Sequence, residues 1–336
     1  MKAMLFIASG ALAVMVWAAS IVGAAHFTAH LNASPVAGNV RHTSVCRSND
    51  KLMRLGHQTG AQPFPARFRV EKDRGLLLQV WINETGPYVF VLDTGAGMNV
   101  ISQRVVTGSR LPTKVVPATY VGGLSSAQIA SNREAIINEI SIGERGNTLP
   151  TNQTALIVSN LPPDIDGILD PTQAYPPYGY SIDMPNERIE ALDVTGLGSP
   201  NKAGAEGAVV AWVHQSGDTR PFVRLGDGRL ALVDTGSSFG LAVNQRNAVI
   251  VRNNRGDANT GAGRDIAGGL IRSRRVSPST ISIGELVLRR IPTDILFGVH
   301  EDAPLILGRD ALYPFKISFD PRRRLIEFVT SSQNSE

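Results

Sequence analysis

Two short segments of the chain carry residues whose type and spacing suit chemistry. Val91-Leu92-Asp93-Thr94-Gly95 recurs as Leu232-Val233-Asp234-Thr235-Gly236, with the two aspartates 141 residues apart. In each copy the aspartate closes a short apolar run, and a glycine follows two residues later. A carboxylate at a strand end is held rigidly, and the glycine lets the backbone turn sharply beside it. Positioned carboxylates act as general acids and bases. For one Asp-Thr-Gly alone, a turn or cap role explains the aspartate equally well. Two triplets in matching context favour catalysis or a recent catalytic ancestry.

The elements that must position these aspartates are themselves repeated. Ile140-Ser141-Ile142-Gly143-Glu144 returns as Ile281-Ser282-Ile283-Gly284-Glu285 at the same spacing of 141 residues. Weaker echoes keep the same order. Gly122-Gly123-Leu124 parallels Gly268-Gly269-Leu270, and Asp166-Gly167-Ile168-Leu169-Asp170 parallels Pro304-Leu305-Ile306-Leu307-Gly308. Tyr180-Ser181-Ile182-Asp183 parallels Ile317-Ser318-Phe319-Asp320. The chain therefore divides into lobe one, residues 63–195, and lobe two, residues 206–330, with a linker at 196–205 and a tail at 331–336. Leu76 to Ile82 and Tyr88 to Leu92 read as a hairpin around the turn residues Asn83 to Pro87, and Phe222 to Leu225 with Leu230 to Val233 read as its counterpart. Helical periodicity is absent from both lobes, and short strands with frequent turn signals predict an all-β protein.

With the triplets, the repeat and the flanking strands in view, the chain resembles the aspartic peptidases over about residues 63 to 330, mixing retropepsin and pepsin features. The resemblance implies two acid-protease β-barrel lobes with a cleft between them, a single chain doing the work of a homodimer. It implies that Asp93 and Asp234 meet across the lobe interface and share one proton, because two adjacent carboxylates cannot both ionise cheaply. It assigns Thr94 and Thr235 to bonds that lock the two loops together, and Gly95 and Gly236 to backbone access. Val121, Gly122, Gly123 and Leu124 fall where a retroviral-type flap tip is expected. Ala267-Gly268-Gly269-Leu270 is either a second flap or an ordinary turn. Leu307-Gly308-Arg309-Asp310 is similar to the segment that supports the catalytic loop. Lobe one has Asp170-Pro171-Thr172 there, so its glycine and arginine are missing. The residue after each triplet also differs, Ala96 against Ser237. In the family that hydroxyl bonds the ionised carboxylate and favours acidic operation, so one hydroxyl in place of two implies a mildly acidic optimum.

Composition narrows the remaining possibilities. The 336 residues are 43% hydrophobic, enough for a core, and the single Cys46 excludes a disulfide framework or a multi-cysteine metal site. Aromatic residues make up 6%, and lysine supplies 6 of the 33 basic residues, so no nucleic-acid surface is expected. No metal or cofactor is expected, since two carboxylates and a water suffice for the implied reaction. Residues 1–25 hold Lys2 and then an uncharged stretch from Ala3 to Ala25 that ends in small residues. This reads as a signal peptide or a transmembrane anchor, with the body exported to the periplasm or tethered to the inner membrane facing it. Residues 26–62 read as a linker, in which His26 and His30 lack a third metal ligand. The same linker is a candidate zymogen segment for the cleft.

Two other motifs fit less well. Gly236-Ser237-Ser238-Phe239-Gly240 fits the serine-hydrolase elbow pattern, but that reading leaves the Asp93 triplet unexplained. Gly95-Ala96-Gly97-Met98-Asn99-Val100 lacks the third glycine of a dinucleotide loop. The expectation is an exported endopeptidase of bacterial type, monomeric, acting on extended peptide segments. The alternative is a catalytically silent retropepsin-like module that binds peptides or supports assembly.

Overall fold

In the computed structural model, residues 17–19, 62–150, 152–193, 197, 203–204, 207–215, 217–245, 248 and 260–330 are described. The apolar run before Asp93 forms the strand Thr85–Leu92, which pairs with Gly75–Ile82 as a hairpin. Its turn is tighter than the five-residue loop expected from sequence. Asn83 and Glu84 both take positive φ, 45° and 63°. That makes the two-residue turn that suits the twist of a hairpin, so the strand resumes at Thr85.

After Asp93 the chain does not return beside its own strand. Thr85–Leu92 pairs in parallel with Gly167–Leu169, and Val100–Ser102 lies antiparallel on the far side of that inserted strand. Lobe two repeats the arrangement. Leu230–Asp234 pairs in parallel with Leu305–Gly308, and Leu241–Asn244 lies antiparallel beyond it. Val91, Leu92, Ile168 and Leu169 are wholly buried, as are Val233, Ile306 and Leu307. Strands covered on both faces must be continuously apolar, which is the pattern both sequence copies carry. The aspartates thus follow or close the buried ends of their strands in each lobe.

The lobes are joined by a shared antiparallel sheet running Ala66–Glu71, Arg188–Leu192, Gly179–Asp183, Phe315–Asp320, Leu325–Thr330 and Gly207–Ala211. Its centre pairs Ser181 with Ser318, and their hydroxyls bond at 3.0 Å. Strands from both sides of the expected linker at 196–205 therefore lie in one sheet. Tyr180 stacks on Phe319 with ring centroids 4.7 Å apart, and Trp212 meets Phe319 edge-on.

The architecture is nearly all β, with the two-lobe plan expected from sequence. One departure is strand length. Leu270–Ile283 and Leu286–Phe297 run 14 and 12 residues, well beyond the short strands anticipated. Irregular register between Val276 and Ile281 lets the long hairpin bend.

Of the N-terminal stretch only Trp17–Ala19 is described, as a strand antiparallel to Tyr120–Gly122. The rest of the expected signal or anchor, and the linker with Cys46, lie outside the described residues. Among the described residues no helix is long and apolar enough to cross a membrane.

Candidate active site

The two strand ends bring Asp93 and Asp234 into one buried centre. The Thr94 and Thr235 side chains build it by reciprocal bonds across the lobes. Thr94 N–H donates to Thr235 Oγ1 at 3.1 Å, and Thr235 N–H donates to Thr94 Oγ1 at 3.0 Å. Each hydroxyl then donates onward to the opposite strand, Thr94 to the Val233 carbonyl at 2.7 Å and Thr235 to the Leu92 carbonyl at 3.1 Å. All four bonds are buried, where an unmade polar bond is costly, so the loops are held in fixed register.

Gly95 sits directly against the opposite carboxyl group. A β-carbon there would lie 2.7 Å from Asp234 Cγ, so any side chain would displace the carboxylate. Asp93 and Asp234 are both fully buried. Gly95 N–H donates to Asp93 Oδ1 and Gly236 N–H to Asp234 Oδ1, each at 2.8 Å. The second oxygen of each carboxyl group takes no donor from outside the pair among the described residues.

The electrostatics of the two aspartates differ. Burial pushes Asp93 well above the usual carboxylate range, and the nearby Asp234 charge pushes it further. Burial also raises Asp234, but the Asp93 carboxyl, two backbone amides and the Arg309 charge pull it back. The second amide is Ser237 N–H, which donates to Asp234 Oδ1 at 3.1 Å. Asp93 therefore holds the proton more tightly, and Asp234 is the better site for negative charge.

Ser237 contributes differently from the expectation. Its hydroxyl accepts from Phe239 N–H at 3.4 Å, and only its backbone amide reaches Asp234. The tight turn after the triplet points that amide, not the side chain, at the carboxylate.

The segment expected to support the second loop does so. Arg309, buried at the start of a short helix, donates to the Thr235 and Gly236 carbonyls at 3.1 and 2.9 Å. It also donates to the Lys72 carbonyl of lobe one at 3.1 Å. Lobe one, which lacks the arginine, uses amide side chains that sequence reasoning missed. Asn99 N–H donates to Gln173 Oε1 at 2.6 Å, Asn99 Nδ2 to Gln153 Oε1 at 3.2 Å, and Asp170 N–H to Asn99 Oδ1 at 2.9 Å. Arg220 of lobe two lies against Gly97 and acts on the Asp170 charge. Only the composition of the segment gave a signal, since Asp170-Pro171-Thr172 marks a capped helix start.

The flap candidates close the centre from above. The strands Thr113–Gly122 and Gln128–Ile137 form a hairpin whose tip holds Gly123 and Leu124. Thr260–Arg264 and Leu270–Ile283 form the second hairpin, so Gly268 and Gly269 belong to a flap-like tip. The tips meet at the buried Asp265, whose carboxylate accepts from Ser125 N–H at 2.8 Å and Gly269 N–H at 2.9 Å. Each tip also places one apolar side chain in the other lobe. Leu124 packs with Ala242, Ile271 and Ile306, while Ile266 packs with Val91, Ala96 and Val121. The repeated Gly-Gly-Leu therefore aligned the wrong residues. Leu270 is 45% exposed, and Ile266 is the structural counterpart of Leu124.

Residues 78–169 match the aspartyl protease family model, which spans lobe one from its first hairpin to the strand before Asp170. No curated protein matches the chain by sequence. The solved structure of the aspartic proteinase from Irpex lacteus is similar in fold, with a TM-score of 0.50 and 12% identity over 81% of this chain and 98% of that one. The chain thus resembles the retropepsin and pepsin-like aspartic peptidases, by family model in lobe one and by fold across both lobes.

Proposed function

We propose that this protein is an aspartic endopeptidase that hydrolyses extended polypeptide segments outside the cytoplasm. The observation that carries the reading is the single buried centre in which the Thr94–Thr235 bonds set Asp234 against Gly95 and give the two aspartates unequal affinity for one proton. Asp234 is the ionised member and Asp93 the protonated one. Asp234 takes a proton from water as the water oxygen bonds to the scissile carbonyl carbon, and Asp93 gives its proton to the carbonyl oxygen. The resulting gem-diol collapses as Asp234 gives its proton to the amide nitrogen and a gem-diol hydroxyl returns a proton to Asp93. The carbon–nitrogen bond breaks, and one proton is again shared by the pair.

The seated flap tips fit a resting state that opens to admit substrate, since Asp93 and Asp234 have no solvent exposure. Export follows from the uncharged stretch behind Lys2, as either a cleaved signal or an inner-membrane anchor. The pseudo-dimer within one chain needs no second copy to complete the centre.

The test uses the full chain and a mixed peptide library from pH 4 to 7, with Asp93→Asn and Asp234→Asn as controls. Each substitution is expected to lower kcat by about 10⁴-fold, the upper range for loss of acid–base catalysis. Because burial raises both aspartates, Asp234 to about 6 and Asp93 well above the usual carboxylate range, the rate maximum is expected between the two titrations. It falls below the Asp234 titration, where the base is lost, and above the Asp93 titration, where the acid is lost. Cleavage surviving either substitution removes the dyad mechanism. Peptide binding without cleavage at any pH assigns the catalytically silent module instead. A periplasm-specific reporter fused after residue 62 checks the location.

A further inference from the structure

A groove of about 1340 Å³ opens beside the second catalytic loop. Its wall includes Ser238 and Phe239, the residues that directly follow Asp234-Thr235-Gly236-Ser237, and Arg309, which holds that loop. It reaches the edge strand Thr260–Arg264 on one side and Lys72 of lobe one on the other.

Three properties of this groove point to one kind of occupant. The first is charge. Arg272 and Arg274 are exposed and two residues apart on one strand, so they project from the same face. Arg274 lies over the Phe297 ring at 5.9 Å, which fixes its guanidinium beside an apolar wall. Lys72 is exposed on the opposite wall. None of these three forms an ion pair among the described residues. Three acids also line the groove, Asp73, Asp294 and Asp310; Asp294 is taken by Arg275 at 3.0 Å, and Asp310 feels the charges of Arg275, Arg309 and Lys72, so the excess positive charge lies at Arg272 and Arg274. The second property is an open backbone edge. Thr260–Arg264 is the last strand of its sheet among the described residues, and Gly261 and Gly263 leave its backbone bare. An extended peptide can add to such an edge through main-chain bonds. The third is position, because a strand laid there leads to the Asp234 loop.

We propose that this groove binds an acidic, extended segment of the substrate, several residues from the scissile bond. The segment's backbone pairs with Thr260–Arg264, and its carboxylates meet Arg272, Arg274 and Lys72. The assignment rests on the endopeptidase reading for its place along the substrate path, but binding itself requires no turnover.

The test separates the two readings. Full-length Asp234→Asn protein is titrated with a fluorescein-labelled peptide alternating Glu and Val, and with its Lys–Val counterpart, while fluorescence anisotropy is followed. The acidic peptide is expected to bind about tenfold more tightly, the scale of two or three exposed charge pairs. Its preference should weaken with added salt. The double variant Arg272→Glu/Arg274→Glu should reverse it, and Arg272→Gln/Arg274→Gln should abolish it. These positions are exposed, so the fold is expected to tolerate both changes, with circular dichroism as the check. Equal affinity for both peptides overturns the proposal, as does an unchanged preference in either double variant. Equal binding of a DNA oligonucleotide of matched charge also overturns it, marking a general polyanion surface. Acidic-peptide binding by a parent that cleaves nothing would sustain the groove and sink the peptidase. Cleavage by the parent with no charge preference would do the reverse.

Discussion

The two Asp-Thr-Gly loops occupy equivalent places in a duplicated fold, yet they are supported by opposite chemistry. Behind the Asp234 loop stands Arg309, a cation that donates to two carbonyls of the loop and one of lobe one. Behind the Asp93 loop stands Asp170, a fully buried acid, with neutral Asn99, Gln153 and Gln173 tying the loop down. The cation near this second support, Arg220, arrives from the other lobe and is itself bonded to Asp218. Duplication thus preserved the strand ladder and the bonds between the loops while the support diverged. The consequence is electrostatic. Arg309 favours charge on Asp234, whereas the acid and amides around Asp93 give its charge no such help. A homodimer would have to break this symmetry with substrate; here the sequence breaks it in advance.

That contrast can be broken by substitution. Arg309→Ala should be the more damaging change to the supports. It leaves three carbonyls without their donor, at about 1–3 kcal/mol each when buried, so a loss of about 3 kcal/mol or more is expected in urea unfolding. It should also raise the pH at which the base of the rate profile is lost, since a cation near Asp234 is gone. Arg220→Ala should cost about half as much stability and leave that limb in place. Equal losses from the two variants would show that the lobes are supported alike after all.

Asp170 offers the next effect. Burial raises it to about 7, far above the unfolded value of an aspartate. For an acid raised in the folded state, the folded protein holds the proton more tightly. Its contribution is therefore greatest below the unfolded value and is lost as pH rises towards 7. Asp170→Asn should flatten the fall in stability between pH 4 and 7, by up to about 1.4 kcal/mol per pH unit. Thermal melts across that range check it, and an unchanged slope would mean the buried acid is ionised at no cost.

Ser237→Ala is expected to do least. The hydroxyl does not reach Asp234, and the backbone amide that does is retained. The low-pH limb of the rate profile should move by less than about 0.3 unit, because no bond to the carboxylate is lost. A larger shift would restore the role that the triplet's pepsin-like flavour first implied for the hydroxyl.

Much of the fold was legible before any coordinates. Apolar runs, turn residues and a fixed repeat spacing are local or periodic properties, and they located both strand ends, both hairpins and the shared plan. The Arg309 segment was also readable, because it carries its own short motif. The flap alignment was not. Gly-Gly-Leu matched Gly-Gly-Leu at a spacing of 146 residues, but the side chain that crosses into lobe one is Ile266, 142 residues after Leu124 and so nearly at the spacing of the triplets. Nor did anything in the sequence mark Asn99, Gln153 and Gln173 as partners, since single amides recur throughout any polar loop.

The sequence by itself determined that one β-plan is used twice, with an Asp-Thr-Gly at the end of a buried strand in each copy. Those features follow from residues adjacent in the chain, where propensity and side-chain period act directly. Only the tertiary structure decided which carboxylate better holds negative charge, which apolar tips are exchanged between lobes and where a basic groove meets the Asp234 loop. Each of these depends on groups far apart in sequence, and on burial, which sets the strength of a charge and exists only once the lobes have closed on one another.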